Sequence, residues 1–90
     1  MLPKNRLPTP PGEVLDEEFL SPMGLTQTAL AERMGVAVQQ VNLIVAGRRA
    51  ITPQTAIKLA QALDTSPEFW MNLQTNYDLA VELQRQRKLA

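Results

Sequence analysis

Apolar residues recur along this chain three and four positions apart, and no run alternates strictly enough, with hairpin chemistry beside it, to read as a half-buried strand. From Gly12 onward, Leu15 and Phe19 form an i, i+4 apolar pair, while Glu13, Asp16 and Glu17 occupy the end where a helix macrodipole favours anions. Ser21-Pro22-Met23-Gly24 is expected to end this first helix. Thr26 is a suitable N-cap for a second helix, Gln27 to Met34, which buries Leu30, Ala31 and Met34 and is stopped by Gly35. A third runs from about Val38 to Ala46, with Gly47 after it and Arg48 and Arg49 on its C-terminal side. Thr52-Pro53 pairs an N-cap with proline at the first helical position and opens a fourth helix, in which Ala56, Leu59, Ala60 and Leu63 recur at helical spacing. Ser66-Pro67 repeats that start signal for a fifth and longest helix, with Phe69, Trp70, Leu73, Tyr77, Ala80 and Val81 on one stripe. The predicted fold class is all-α, a compact bundle of about five helices.

Prolines 3, 8, 10 and 11 fix φ and withhold backbone donors, so residues 1–11 read as an extended arm, on which Lys4 and Arg6 ride. Residues 12–82 form the body, and 83–90 are the basic end of the last helix, where Arg85, Arg87 and Lys88 suit the C-terminal dipole.

Ninety residues at 44% hydrophobic content support one core, and a domain of this size buries only about 60 to 65% of the surface its unfolded chain exposes, so pairing with a second copy adds stability. Cysteine and histidine are both absent, which removes disulfides, the usual soft metal ligands and the Ser-His and Cys-His dyads. No catalytic residue, metal or cofactor is expected; Glu13 and Glu17 lie one turn apart without a partnered nucleophile and read as solvated helix acids. No apolar run approaches the roughly 20 residues of a membrane span, and the N-terminus carries no apolar signal-peptide region, so a cytoplasmic location with no membrane contact is expected.

The formal charge is zero, which argues against nonspecific polybasic binding, but the charges are not evenly spread. Residues 13–35 hold five acids and one base, whereas residues 36–63 hold Arg48, Arg49 and Lys58 and no acid. That basic middle overlaps a distinctive arrangement in residues 27–46: a short helix, a tight turn through Gly35-Val36-Ala37, and a second short helix. This is helix-turn-helix spacing. Small Ala31 lets the helices cross closely, Gly35 can take the left-handed turn conformation, and Leu30, Met34, Val36, Val41 and Ile44 fill the angle between them.

At 100° per residue the third helix turns Val41, Ile44 and Val45 to the core and Gln39, Asn42, Leu43 and Ala46 outward. No charge lies between Val36 and Gly47, where an ordinary solvated face carries Lys and Glu. Amides bond bidentately to adenine edges and apolar groups touch thymine methyls, so this face reads as a major-groove reader; the alternative is a neutral protein-contact face. Gln27 and Thr28 at the start of the second helix, and Arg48 and Arg49 after the third, are the candidate phosphate contacts on double-stranded DNA. The acids of the first helix should face away from it. Phe69, Trp70, Leu73 and Tyr77 gather most of the aromatic material on one helix and are either a homodimer interface or intramolecular core.

Gln27-Thr28-Ala29-Leu30-Ala31-Glu32-Arg33-Met34-Gly35-Val36, followed by Gly47-Arg48-Arg49-Ala50-Ile51-Thr52-Pro53, resembles the lambda-repressor-like, XRE-type helix-turn-helix domains. More narrowly, Pro11-Gly12-Glu13-Val14-Leu15 to Glu18-Phe19-Leu20, and Thr65-Ser66-Pro67-Glu68-Phe69-Trp70-Met71-Asn72-Leu73-Gln74 to Asn76-Tyr77-Asp78-Leu79, resemble the HigA-type antitoxins of toxin–antitoxin modules. The resemblance covers roughly residues 10–80. It implies a dimeric, sequence-specific transcriptional repressor that binds a palindromic operator and neutralises a HigB-type toxin, a ribosome-dependent mRNA endonuclease. It places the groove-facing slots on Val38, Gln39, Gln40, Asn42 and Leu43, with phosphate slots near Gln27 and Arg48. The chain departs from the family pattern at Ala37, where a Ser/Thr N-cap is usual, at Val38 and Leu43, where polar or basic residues are common, at Ala46 for a frequent Asn, and at Pro10 for a frequent His. A toxin-independent phage-type regulator, or a helical adaptor that no longer touches DNA, are the competing readings.

Overall fold

The computed structural model describes residues 7–89. Among them are five helices and no strand. The first, α1, is continuous from Pro11–Leu15 through a π-helical Asp16–Leu20 to Ser21–Met23. Then follow α2 (Gln27–Met34), α3 (Val38–Val45), α4 (Pro53–Leu63) and α5 (Pro67–Leu89).

Residues 7–10 precede α1 without regular structure, and Pro10 is extended at φ −60° and ψ 146°. Its carbonyl accepts from the N–H groups of Glu13 and Val14, at 3.0 and 3.2 Å, so the helix starts with Pro11 at its first position. Lys4, Arg6 and the rest of the expected arm up to residue 6 lie outside the described residues.

Ser21-Pro22-Met23-Gly24 ends α1 as expected: the helix runs through Pro22 to Met23, and Gly24 caps it in the left-handed conformation at φ +61°. Proline inside a helix lacks a donor and crowds the carbonyl four residues back. Directly upstream the chain widens into a π turn, in which the Ser21 N–H reaches Asp16 O, five residues back, and the wider turn gives the ring room. The stop comes after Met23, where Leu25 N–H closes back on Leu20 O at 2.9 Å.

The cap signals behave locally. Thr26 Oγ1 accepts from Ala29 N–H, Thr52 Oγ1 from Thr55 N–H and Ser66 Oγ from Phe69 N–H, at 3.0, 3.3 and 3.1 Å. Helix α2 packs on α3 and α4, α4 on α5, and α1 rests against both α3 and α5. Leu15, Leu30, Val41, Ile44, Leu59 and Trp70 are the large side chains sealed at the centre.

Trp70 settles the question left open for the aromatic stripe at its own position: it is 0% exposed within one protomer, so it belongs to the core and cannot touch a second subunit. Its indole N–H donates to Thr65 Oγ1 at 2.7 Å, satisfying the one polar atom it buries. Phe19 and Phe69 complete a three-ring cluster with it, centroids 5.0 to 5.9 Å apart and two of the pairs edge-to-face. Each such pair adds about 0.5 to 1.5 kcal/mol beyond area burial, which locks α1 to α5. Leu73 and Tyr77 are half-buried.

Candidate nucleic-acid interface

The turn between α2 and α3 depends on Gly35, which sits at φ +70° and lets Val36 N–H return to Ala31 O at 3.1 Å. Buried Ala31 permits the close crossing, and Leu30, Met34, Val41 and Ile44 fill the angle with half-buried Val36. Helix α3 is thereby held with one face inward. Its opposite face carries Gln39, Asn42, Leu43 and Ala46, all exposed, with Leu43 39% exposed.

The five family slots on α3 divide in two. Gln39, Asn42 and Leu43 stand free, whereas Val38 packs against the core and Gln40 turns sideways, its Nε2 donating to Thr55 Oγ1 at 3.3 Å. Thr55 in turn shares a hydrogen bond with the Thr52 hydroxyl at 3.1 Å, so Gln40 braces α3 against the start of α4. Ala37 makes no side-chain cap bond, leaving the first amides of α3 without the usual hydroxyl partner.

Around this face lie the other candidates. At the start of α2, Thr28 is exposed and Gln27 half-buried, both ahead of the amide that Thr26 caps. After α3, Gly47 N–H bonds Ile44 O and Arg48 N–H bonds Leu43 O, at 3.0 and 2.9 Å, which turns the chain away and leaves Arg48 and Arg49 exposed. Neither guanidinium meets a carboxylate among the described residues. The acids of α1 lie closer than expected: Glu13, Asp16 and Glu17 share a shallow hollow with Val45, Ala46 and Gly47, at the C-terminal end of α3. The titration of one ion pair is shifted, on the distal part of α5: Arg85 and Gln86 hold the Glu82 carboxyl below its ordinary range, and Glu82 raises Arg85.

Two residues packed against the backbone at and after the end of α3 had no role assigned to them from the sequence. A Cβ on Gly12 would meet Ile44 O at 1.9 Å, so the start of α1 lies directly on the backbone at the end of α3. The available signal was a glycine inside a helix, where alanine is the better helix former. Gln74, which enters the sequence reading only as part of the family-like segment from Thr65, is buried, with Oε1 accepting from Ile51 N–H at 2.8 Å and Nε2 donating to Asp78 Oδ1 at 2.9 Å.

Among the described residues no helix is long and apolar enough to cross a membrane, and no group of three potential metal-ligating side chains comes together.

A family model described as helix-turn-helix matches residues 18–70. Antitoxin HigA-1 of Vibrio cholerae serotype O1 is 50% identical over 74 residues, covering 82% of this chain and 70% of the relative. Antitoxin HigA of Pseudomonas aeruginosa, solved with the higBA promoter, aligns with a TM-score of 0.86 at 41% identity over 91% of this chain and 89% of that one. Antitoxin GraA in complex with its operator aligns at 0.84 with 42% identity, over 99% and 91% of the two chains. With this fold, this exposed ridge and these relatives, the chain belongs to the helix-turn-helix family and, within it, to the HigA-type antitoxins.

Proposed function

We propose that this protein is a DNA-binding repressor of its own promoter and the antitoxin of a toxin–antitoxin module. The observation that carries the reading is the uncharged, exposed ridge of α3, led by Gln39, Asn42 and Leu43, beside two exposed arginines that no carboxylate among the described residues engages. Two relatives of the same fold are solved with a promoter or operator. In this reading Gln39 and Asn42 read base edges, Leu43 touches a thymine methyl, and Arg48, Arg49 and the Gln27–Thr28 end of α2 hold phosphates. Val38 and Gln40, with their side chains directed into the protomer, support the helix rather than read bases. The DNA-binding body spans residues 12–82, between the arm at 1–11 and the basic end at 83–90.

The protein acts as a homodimer, with two α3 helices entering successive major grooves about 34 Å apart on a palindromic operator. Helix α5 offers the second copy its surface: Leu79 and Leu83, one turn apart and exposed, Leu79 by 57%, lie on one side, and exposed Val81 lies on the opposite side, where it continues the Trp70–Gln74–Tyr77 row. Half-buried Leu73 and Tyr77 adjoin that side. In this proposal the toxin partner is a HigB-type mRNA endonuclease and the setting is the cytoplasm; membership of the HigA-type antitoxins supports both.

The test is a titration of a labelled duplex from upstream of the chain's own gene. If Arg48 and Arg49 of both protomers neutralise four phosphates, log affinity falls against log salt with a slope of about −3 to −4, roughly a hundredfold loss between 50 and 200 mM. Arg48→Ala weakens all sequences alike, whereas Gln39→Ala costs about 1 to 3 kcal/mol on the cognate site and relaxes preference there. A chain that ignores the duplex at both salt concentrations refutes the reading in favour of a protein-only adaptor. Copurification with the product of the adjacent reading frame tests the antitoxin role.

A further inference from the structure

Gln74 joins two parts of the molecule that the helix-turn-helix alone leaves separate. It projects from α5, is only 8% exposed, and reaches the backbone of the α3–α4 connection at Ile51, two residues beyond Arg49. That connection is pinned at its start by the Gly47 and Arg48 N–H bonds and at its end by the Thr52 cap. Between them Gln74 Oε1 takes the Ile51 N–H at 2.8 Å, beside the buried Ile51 side chain. Gln74, Tyr77 and Asp78 also line one crevice of about 410 Å³ together with Arg48 and Arg49.

The chemistry at this position suits glutamine in particular. The site needs an acceptor for the Ile51 N–H and, from the same group, a donor for the Asp78 carboxylate, and an amide supplies both. Asp78 fixes which way the amide points, so that oxygen and not NH₂ faces Ile51. The same bond occupies Asp78 Oδ1 beside arginines that it does not pair with. A short basic segment tied down at its middle before DNA arrives does not have to be ordered at the moment of binding.

We infer that Gln74 is a positioning residue for DNA binding: through the Ile51 N–H it holds the Arg48–Arg49 segment against α5, so that the guanidinium groups meet the phosphates in fixed register. The inference rests on the DNA reading proposed above.

The experiment measures binding of the same upstream duplex across a salt series for wild type, Gln74→Asn and Gln74→Met, together with amide hydrogen exchange at Ile51. Asparagine is too short to reach and methionine has no acceptor. Both variants should lose protection at Ile51, bind about tenfold more weakly at low salt, and show a salt slope shallower by about two, one phosphate contact per protomer. The pair Gln74→Glu with Asp78→Asn exchanges donor and acceptor, keeps an oxygen for Ile51 and leaves the net charge unchanged, so it should restore the slope. A loss of thermal stability alone would leave the slope where it was. Variants that fold and keep the wild-type slope overturn the positioning role, as does a failure of both single variants to fold, which would make Gln74 a folding residue. A wild-type chain without salt-dependent binding sinks the DNA reading itself, and is told apart because it appears before any substitution is made.

Discussion

Alanine at position 12 sets two rules against each other. In an ordinary helix, glycine to alanine gains up to about 1 kcal/mol, because glycine gives up more backbone freedom on folding. Gly12 lies in α1 and so would qualify. Yet its added Cβ would stand 1.9 Å from Ile44 O, 2.8 Å from the carbonyl carbon and 3.0 Å from Val45 Cα, about 1.5 Å short of ordinary contact with the oxygen. All three atoms are backbone, so no side-chain rotation relieves the clash; α1 and α3 must move apart. Overpacking of this kind costs about 1 to 3 kcal/mol, and a clash of backbone with Cβ belongs at the upper end, so the net effect after the propensity gain is a loss of about 2 kcal/mol. For a domain of this size that lowers the melting temperature by about 8 to 16 °C, read by circular dichroism at one fixed protein concentration. Because the displacement falls on Ile44 and Val45 at the end of α3, operator affinity measured well below the transition should fall as well. Gly35→Ala is the comparison: φ is +70° but nothing lies within 4 Å of the new Cβ, so it carries only the left-handed penalty of about 1 to 2 kcal/mol. A Gly12→Ala protein that melts at or above wild type would show that propensity, and not the approach of α1 to Ile44, governs the site.

Thr52→Ala should lower the urea midpoint by the equivalent of about 1 kcal/mol, since it removes the cap on Thr55 N–H and the hydroxyl contact behind Gln40; an unchanged midpoint would mean that the cap contributes nothing. Replacing operator thymines with deoxyuridine one at a time removes single methyl groups; at the position under Leu43 this should weaken binding about fourfold, as for one CH₂ returned to water, and have no effect in Leu43→Ala. The pH response should be flat. The chain has no histidine, and Glu82, whose carboxyl is depressed by Arg85, contributes stability above its unfolded value that is lost only as pH falls through its lower folded value, on the acid side of the carboxylate range. Operator titrations between pH 6 and 8 should therefore agree within about twofold, and a steep change there would refute a binding surface without a group that titrates near neutrality.

What the sequence made legible follows from the range of the forces involved. Caps at Thr26, Thr52 and Ser66 act within three residues, and the Leu30, Ala31, Met34 stripe repeats at helical spacing, so both could be read directly from neighbouring letters. The outward placement of Gln39, Asn42 and Leu43 was also accessible, because Val41 and Ile44 fix the rotation of α3 and leave those positions no other side. Gln40 was not: its inward turn depends on Thr55, fifteen residues away on another helix. Gly12 and Gln74 share that property at greater separation, the first answering to the Ile44 carbonyl and the second to the Ile51 amide. The π turn ahead of Pro22 was not legible for the opposite reason. It is a local widening of the helix over Asp16–Leu20, and apolar spacing does not reveal it. The reading face is thus written in the periodicity of one helix, while its position relative to the arginines and to α1 is written in contacts between backbone and single side chains far apart in the chain. In this protein the second set decides how firmly the face is held, and so Gly12 and Gln74, which touch no DNA in the proposed complex, should govern operator affinity alongside the residues that do.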